Sequence, residues 1–258
     1  MRCWQMRIAV TGEGPTDYGR REYAAGQWEW KWGPIAIYLK RIAALNNVEI
    51  ELIPIERERV QEHRLQKRRL SGLEGKAIPS RKFAELMIGE KCQYGIYYCD
   101  ADRETGTKNS SEVQARRQFE KRYNEVRLGL ESESSDNKIP MIPMRMIENW
   151  IMADQCAIEE VYEKKYGKKV VPANCELLWG EKNDLDSNYP KNYLIRMICS
   201  LDKKYEKEEV GSEAFCSIAE KQNLETLREQ CNISFEKFYQ DYTKLLNVGK
   251  EQYQSDKE

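Results

Sequence analysis

The chain has 258 residues, a length that suits one or two domains with a sizeable core. Lys+Arg is 42 and Asp+Glu is 43, a net charge of −1, which excludes a protein whose whole surface is basic for nucleic acid but leaves room for a local basic patch. With 33% charged and 40% hydrophobic residues the composition is that of a charged, helix-rich globule and not of a disordered chain.

In chain order, Arg7–Thr11 is a short β-like run stopped by Gly12, Glu13, Gly14 and Pro15, where two glycines and a proline force a turn. A tryptophan-rich loop with Trp28, Trp30 and Trp32 follows. A helix starts at Pro34, a favourable first helical residue, and runs to about Leu45. Asn47–Ile53 alternates apolar and polar residues, with Pro54 as a stop, and reads as a second strand. Residues 55–82 hold nine Lys/Arg against four Glu and read as a charged loop or exposed helix start, with Ser80 placed to cap a helix over 81–90. The third strand, Gly95–Asp100, is an apolar run ending in acid. A helix over about 112–126, a polar linker (131–137) and a fourth strand near Ile139–Met144 come next. From Ile147 onward the pattern is helical, most clearly where Phe235, Phe238, Tyr239, Tyr242, Leu245 and Leu246 recur at helical spacing.

Strands separated by helices imply a parallel α/β sheet, whose ligands gather outside the carboxyl ends of the strands. No apolar run approaches the roughly 20 residues of a membrane span. The stretch Ile8–Val10 is too short for the core of a signal peptide. A cytoplasmic protein with no membrane partner is expected.

The residue inventory narrows the chemistry. Eight scattered cysteines form no C-x-x-C, which argues against a zinc site or redox dithiol and for small buried hydrophobes. The single histidine, His63, excludes two-histidine metal sites, and nothing near it resembles a nucleophile elbow. Catalysis would then rest on carboxylates, cations or a metal. Asp100 and Asp102, two apart in extended chain, share a face, and paired carboxylates there call for a cation; Mg2+ fits, with Mn2+ as a substitute. Glu13 sits between two glycines that allow close backbone approach to a phosphate or metal. Gly12–Asp17 lacks the third glycine of a dinucleotide fingerprint, and there is no P-loop. Glu148 either compensates the dipole at a helix start or reaches the same crevice as Asp100. Arg64, Lys67, Arg68 and Arg69 are either solvated surface or a phosphate-binding segment. Trp150 reads as core, and the three loop tryptophans as packing, with base stacking the alternative.

These residues carry a resemblance. A glutamate after strand one (Glu13), a D-x-D after a later strand (Asp100, Asp102) and the alternating βα order look like a Toprim domain. More narrowly, Glu13–Asp17, Ile147–Asp154 and the Pro-Lys pair Pro190–Lys191 resemble an uncharacterised bacterial Toprim-like family related to OLD-type nucleases. The resemblance implies an α/β, Toprim-like parallel sheet flanked by helices over about 1–155, with a helical C-terminal part over 156–258 packed on it. It further implies Mg2+-dependent phosphodiester hydrolysis, with Glu13, Asp100 and Asp102 holding the metal, Glu148 as a fourth acid and Lys191 as a further phosphate contact. With no usable histidine, Glu13 is the candidate proton acceptor. Nucleic acid and an ATPase encoded in phage-defence clusters are the expected partners, and a homo-oligomer is compatible with the sequence. A non-catalytic subunit that regulates an ATPase is the alternative. A D-x-D sugar transferase would leave Glu13 without a role. The tryptophan-rich insertion and the charged stretch at 55–82 depart from the family pattern.

Overall fold

The structure, a computed structural model, describes residues 5–66, 71–101, 111–131, 137–201 and 211–255. Four strands, β1 (Met6–Thr11), β4 (Ile50–Pro54), β5 (Tyr94–Tyr98) and β6 (Lys138–Met141), form one sheet in the order β4-β1-β5-β6. All three pairings are parallel, with Ala9 beside Ile53 on one side and Gly95 on the other. The fold is α/β, as expected. The first two strands build outward from β1 in one direction and the next two in the other. The strand order therefore reverses between β1 and β5, where a crevice opens at the carboxyl edge.

Two corrections apply to the elements. The tryptophan-rich segment is not a loop. Strands β2 (Gly19–Ala24) and β3 (Gln27–Trp32) form an antiparallel hairpin, Gly19 opposite Trp32 and Ala24 opposite Gln27. The tight turn at Ala25-Gly26, with φ of 49° and 85°, supplies the two left-handed residues that a two-residue hairpin needs. Trp30 and Trp32 pack on Tyr18, while Trp28 stands exposed against Tyr23. Helix α3 (Ala77–Gly89) starts earlier than the sequence implies: Ser80 does not cap it but lies buried within it, donating to the carbonyls of Lys76 and Ala77.

The other helices follow local rules. Helix α1 (Pro34–Leu45) has proline in its first turn and buries Ile35, Tyr38, Leu39 and Ile42 on one stripe. Helix α2 (Arg57–Glu62) is a short turn after β4. Helix α4 (Glu112–Leu130) opens with a reciprocal capping box between Ser111 and Gln114. Helices α5 (Ile147–Ile151), α6 (Gln155–Val161), α7 (Pro190–Leu201), α8 (Ser212–Lys221), α9 (Leu224–Gln230) and α10 (Ser234–Ser255) complete the described chain. The described cysteines are free thiols, and Cys92, Cys99, Cys175 and Cys231 are buried. Among the described residues no helix is long and apolar enough to cross a membrane.

Side chains alternate across the sheet, so its two faces carry different cores. Ile8, Val10, Ile96 and Tyr98 face a large cluster that includes Leu39, Trp150, Phe235 and Tyr242. The C-terminal helices thus share one continuous apolar core with the sheet. Ala9 and Tyr97 face a smaller cluster with Phe83 and Met87 of α3 and Phe119 and Val126 of α4.

Within the large core the polar groups are tied down. Trp150 packs edge-on against Phe235 and donates its indole N–H to Ser234 Oγ at 2.9 Å. The buried Glu176 carboxylate accepts from Ile233 N (2.9 Å), Ser234 N (2.7 Å) and the Ser234 hydroxyl, closing the start of α10. Gln222 accepts from the Tyr38 hydroxyl at 2.6 Å and donates to the carbonyls of Trp150 and Ile151 at the end of α5.

Candidate functional site

The crevice is built first by the turn after β1. Gly14, with φ of 77°, lets the chain fold back so that Asp17 N and Tyr18 N donate to its carbonyl. The Tyr18 hydroxyl then reaches Val10 O (2.8 Å) and Ile55 O (3.2 Å), anchoring the turn to the ends of β1 and β4. Gly33, where the hairpin rejoins α1, touches the Asp17 carbonyl so closely that a Cβ there would collide with it. Asp17 is thereby held against the sheet edge.

Tyr98, the last residue of β5, is the centre of the acidic half. Its hydroxyl lies 3.0 Å from Asp17 Oδ2 and 2.8 Å from Asp100 Oδ1. Burial first, then Asp100, Asp17 and Glu148, push the Tyr98 hydroxyl well above its ordinary pKa. Asp17 is displaced most clearly: burial and the nearby Glu148 raise its carboxyl from 3.8 to about 8, against the opposing pull of Tyr98 and Lys191. The Tyr98 hydroxyl has one proton to share between the two carboxyl groups and orients both at the sheet edge.

Glu148 arrives from the first turn of α5 and Lys191 from the first turn of α7, so the C-terminal helices complete an edge begun by β1 and β5. The segment Ile147–Asp154 divides its labour. Glu148 faces the acids, Asn149 bonds Met146 N and Cys175 O, and Trp150 is core. Asp154 caps α6 and accepts from Asn223 N at 2.7 Å.

Glu13 belongs to the other half. It follows β1 as Asp100 follows β5, at the carboxyl ends of neighbouring parallel strands. Its carboxylate forms an ion pair with Lys76, just before α3, and it lines a cavity of about 180 Å3 with Thr11, Gly12, Arg57, Lys76 and Tyr97. Tyr97 and Tyr98, adjacent in sequence, thus mark the two faces of the edge, one beside the Glu13–Lys76 pair and the other beside Asp17 and Asp100.

Of the remaining expected residues, Asp102, Lys67, Arg68 and Arg69 lie outside the described residues. Arg64 is exposed just beyond α2, and His63 bonds Glu85 of α3 at 3.0 Å. Asp17, Tyr98, Arg57 and Lys76 were not singled out from sequence. Asp17 lies inside the Glu13–Asp17 motif, which is the one local signal that points to it. The other three acquire meaning only through tertiary contacts.

The carboxylate oxygens of Asp17, Asp100 and Glu148 are the donor type Mg2+ takes, and that ion binds through one or two carboxylates while keeping several waters. Burial first and the neighbouring Glu148 second raise the Asp17 carboxyl, and a cation would offset the second of these. Among the described residues no three Asp, Glu, His or Cys side chains already stand in an arrangement that would hold a metal ion. An ion here would rest on one or two of these carboxylates and keep its waters.

No curated protein and no solved structure matches the chain. A family model, described as a domain of unknown function (DUF4276), matches residues 38–241. That stretch begins in α1 and takes in Tyr98, Asp100, Glu148 and Lys191, while Glu13 and Asp17 precede it. It spans most of the sequence, and the chain belongs to the DUF4276 family.

Proposed function

We propose that the protein is a Toprim-type, Mg2+-dependent nuclease that hydrolyses phosphodiester bonds, working as the effector partner of an ATPase in anti-phage defence. The observation that carries this reading is the gathering of Asp17, Asp100 and Glu148 around Tyr98 at the strand-order reversal, with Asp17 raised to about 8. One or two of Asp17, Asp100 and Glu148 would hold the ion, with Mn2+ as a substitute. Once bound, the ion would activate a water and neutralise charge building on the phosphate. Tyr98 fixes the orientation of two of the acids. Lys191 offsets part of their charge and lies where it can meet a substrate phosphate. Glu13, held by Lys76 on the neighbouring strand end, is the acceptor for a proton released at the edge. The ATPase partner and the defence setting rest on the Toprim-like motifs alone.

The test is a cleavage assay on DNA and RNA with the ATPase encoded beside the gene, with and without EDTA. Wild type should cleave only with Mg2+ or Mn2+, and Asp100→Asn should abolish cleavage while its melting curve stays cooperative. Equal cleavage by both proteins would remove Asp100 from the site. The second reading, a non-catalytic subunit that regulates the ATPase, is favoured by one observation: Glu13 is already committed to Lys76. It gains if neither protein cleaves under any metal or partner condition while both alter the ATPase rate.

A further inference from the structure

We infer that the cavity on the α2–α3 side of the crevice, lined by Arg57, Lys76, Glu13 and Tyr97, seats a phosphodiester group of a nucleic-acid substrate. The inference rests on the nuclease reading and assigns the substrate-binding half that it leaves open.

The cavity's charge is opposite to that of the acidic half. Two cations line it, Arg57 from the start of α2 and Lys76 from the start of α3, against one carboxylate, Glu13. Lys76 neutralises Glu13, yet an ammonium has three protons and that ion pair leaves donors to spare. Among the described residues Arg57 has no hydrogen-bond or ion-pair partner, and it is exposed on the cavity rim. The positive charges of Arg57 and Arg122 both act on the Tyr97 hydroxyl, which places a third cation close behind the lining. Arg122 is itself held by Glu125, which also accepts from Lys76 N at 3.1 Å, so the basic wall is braced from α4.

Size permits the ligand class and chemistry selects it. A space of about 180 Å3 is ample for a tetrahedral oxyanion with its waters, and the donors lining it decide which ligand it takes. An unpaired guanidinium beside an ammonium is the donor pair that phosphate oxygens take, the first as a fork and the second as a point charge. The position matters as much as the charge. The cavity shares the strand-order reversal with Asp17 and Asp100, on the opposite side of the Tyr97–Tyr98 pair. A backbone lying across the edge would therefore place one phosphate among cations and the next toward the acids.

The experiment uses the full chain in metal-free buffer at fixed ionic strength. Melting curves are recorded with inorganic phosphate against chloride, and affinity for a short single-stranded oligonucleotide is measured across a salt series. Phosphate should raise the melting temperature of wild type and of Asp100→Asn. It should not raise that of the Arg57→Gln/Lys76→Gln double variant. Arg57→Gln alone, which breaks no bond among the described residues, should reduce the salt slope of log K by about 0.7. An equal phosphate response in wild type and double variant overturns the assignment. So does an oligonucleotide salt slope that Arg57→Gln leaves unchanged. If the phosphate response depends on Arg57 and Lys76 but Mg2+ supports no cleavage, the cavity stands and the nuclease reading falls.

Discussion

Two faces of one sheet carry similar residue types to different ends. On the face covered by α1, α10 and the other C-terminal helices, Tyr98 continues a deep apolar core, and Asp17 beside it is partly desolvated. On the face covered by α3 and α4, Tyr97 borders a smaller core, and Glu13 meets Lys76 beside an open cavity. Asp17 and Glu13 sit four residues apart in one turn, yet they meet different neighbours: burial and Glu148 raise the Asp17 carboxyl, while Glu13 pairs with Lys76.

The largest effect should come from thinning the deep face. Trp150→Ala removes a fully buried indole packed on Tyr38, Phe235 and Phe238, together with its bond to Ser234. It should cost about 4 kcal/mol in urea unfolding. A cost below about 2 kcal/mol would mean that the C-terminal helices are not what buries this face.

Next is the anchor of α10. Glu176→Ala strands two backbone N–H groups and the Ser234 hydroxyl in the interior and should cost about 3 kcal/mol. Hydrogen exchange should show the first turn of α10 losing protection before the rest of the helix. Uniform loss along the helix would assign Glu176 to general packing instead.

The smallest of the three effects sharpens the contrast between the faces. The folded Asp17 carboxyl keeps its proton to about pH 8, whereas the unfolded chain releases it near its ordinary value of 3.8. Between those values the unfolded state binds fewer protons, so stability falls as pH rises through the window and levels off above it. Asp17 is only partly shielded from solvent, so Asp17→Asn should recover about 2 kcal/mol or less at pH 8.5 and nothing near pH 4. Melting curves of the two proteins in metal-free buffer would show this as converging lines at low pH. Parallel lines across the range would place Asp17 in ordinary solvent and erase the distinction.

How far the sequence reveals the molecule follows from where each signal resides. The sheet strands, α1 from Pro34 and the α10 ladder from Phe235 are periodic within one element, and the structure has them within a few residues. Gln27–Trp32 does alternate polar and apolar residues as a strand would, but the hairpin's turn is Ala25-Gly26 in place of the usual Asn-Gly, so the pairing signal was missing. Ser80 suggested a cap because serine usually is one; here its hydroxyl is satisfied inside the first turn. Among the site residues, Asp100 and Glu148 were legible as acids after strands. The partners that give the edge its electrostatics were not: Lys76 stands 63 residues from Glu13, and Tyr98 stands 81 from Asp17.

The acidic half draws on positions 17, 98, 100, 148 and 191. A ribosome delivers these from one end, so the growing chain carries all three acids before Lys191 and helix α7 emerge to offset them. Until then the edge is most negative and least enclosed. The last piece to arrive is thus the cation that tempers the crevice, and a chain interrupted before α7 would hold its acids without that counterweight.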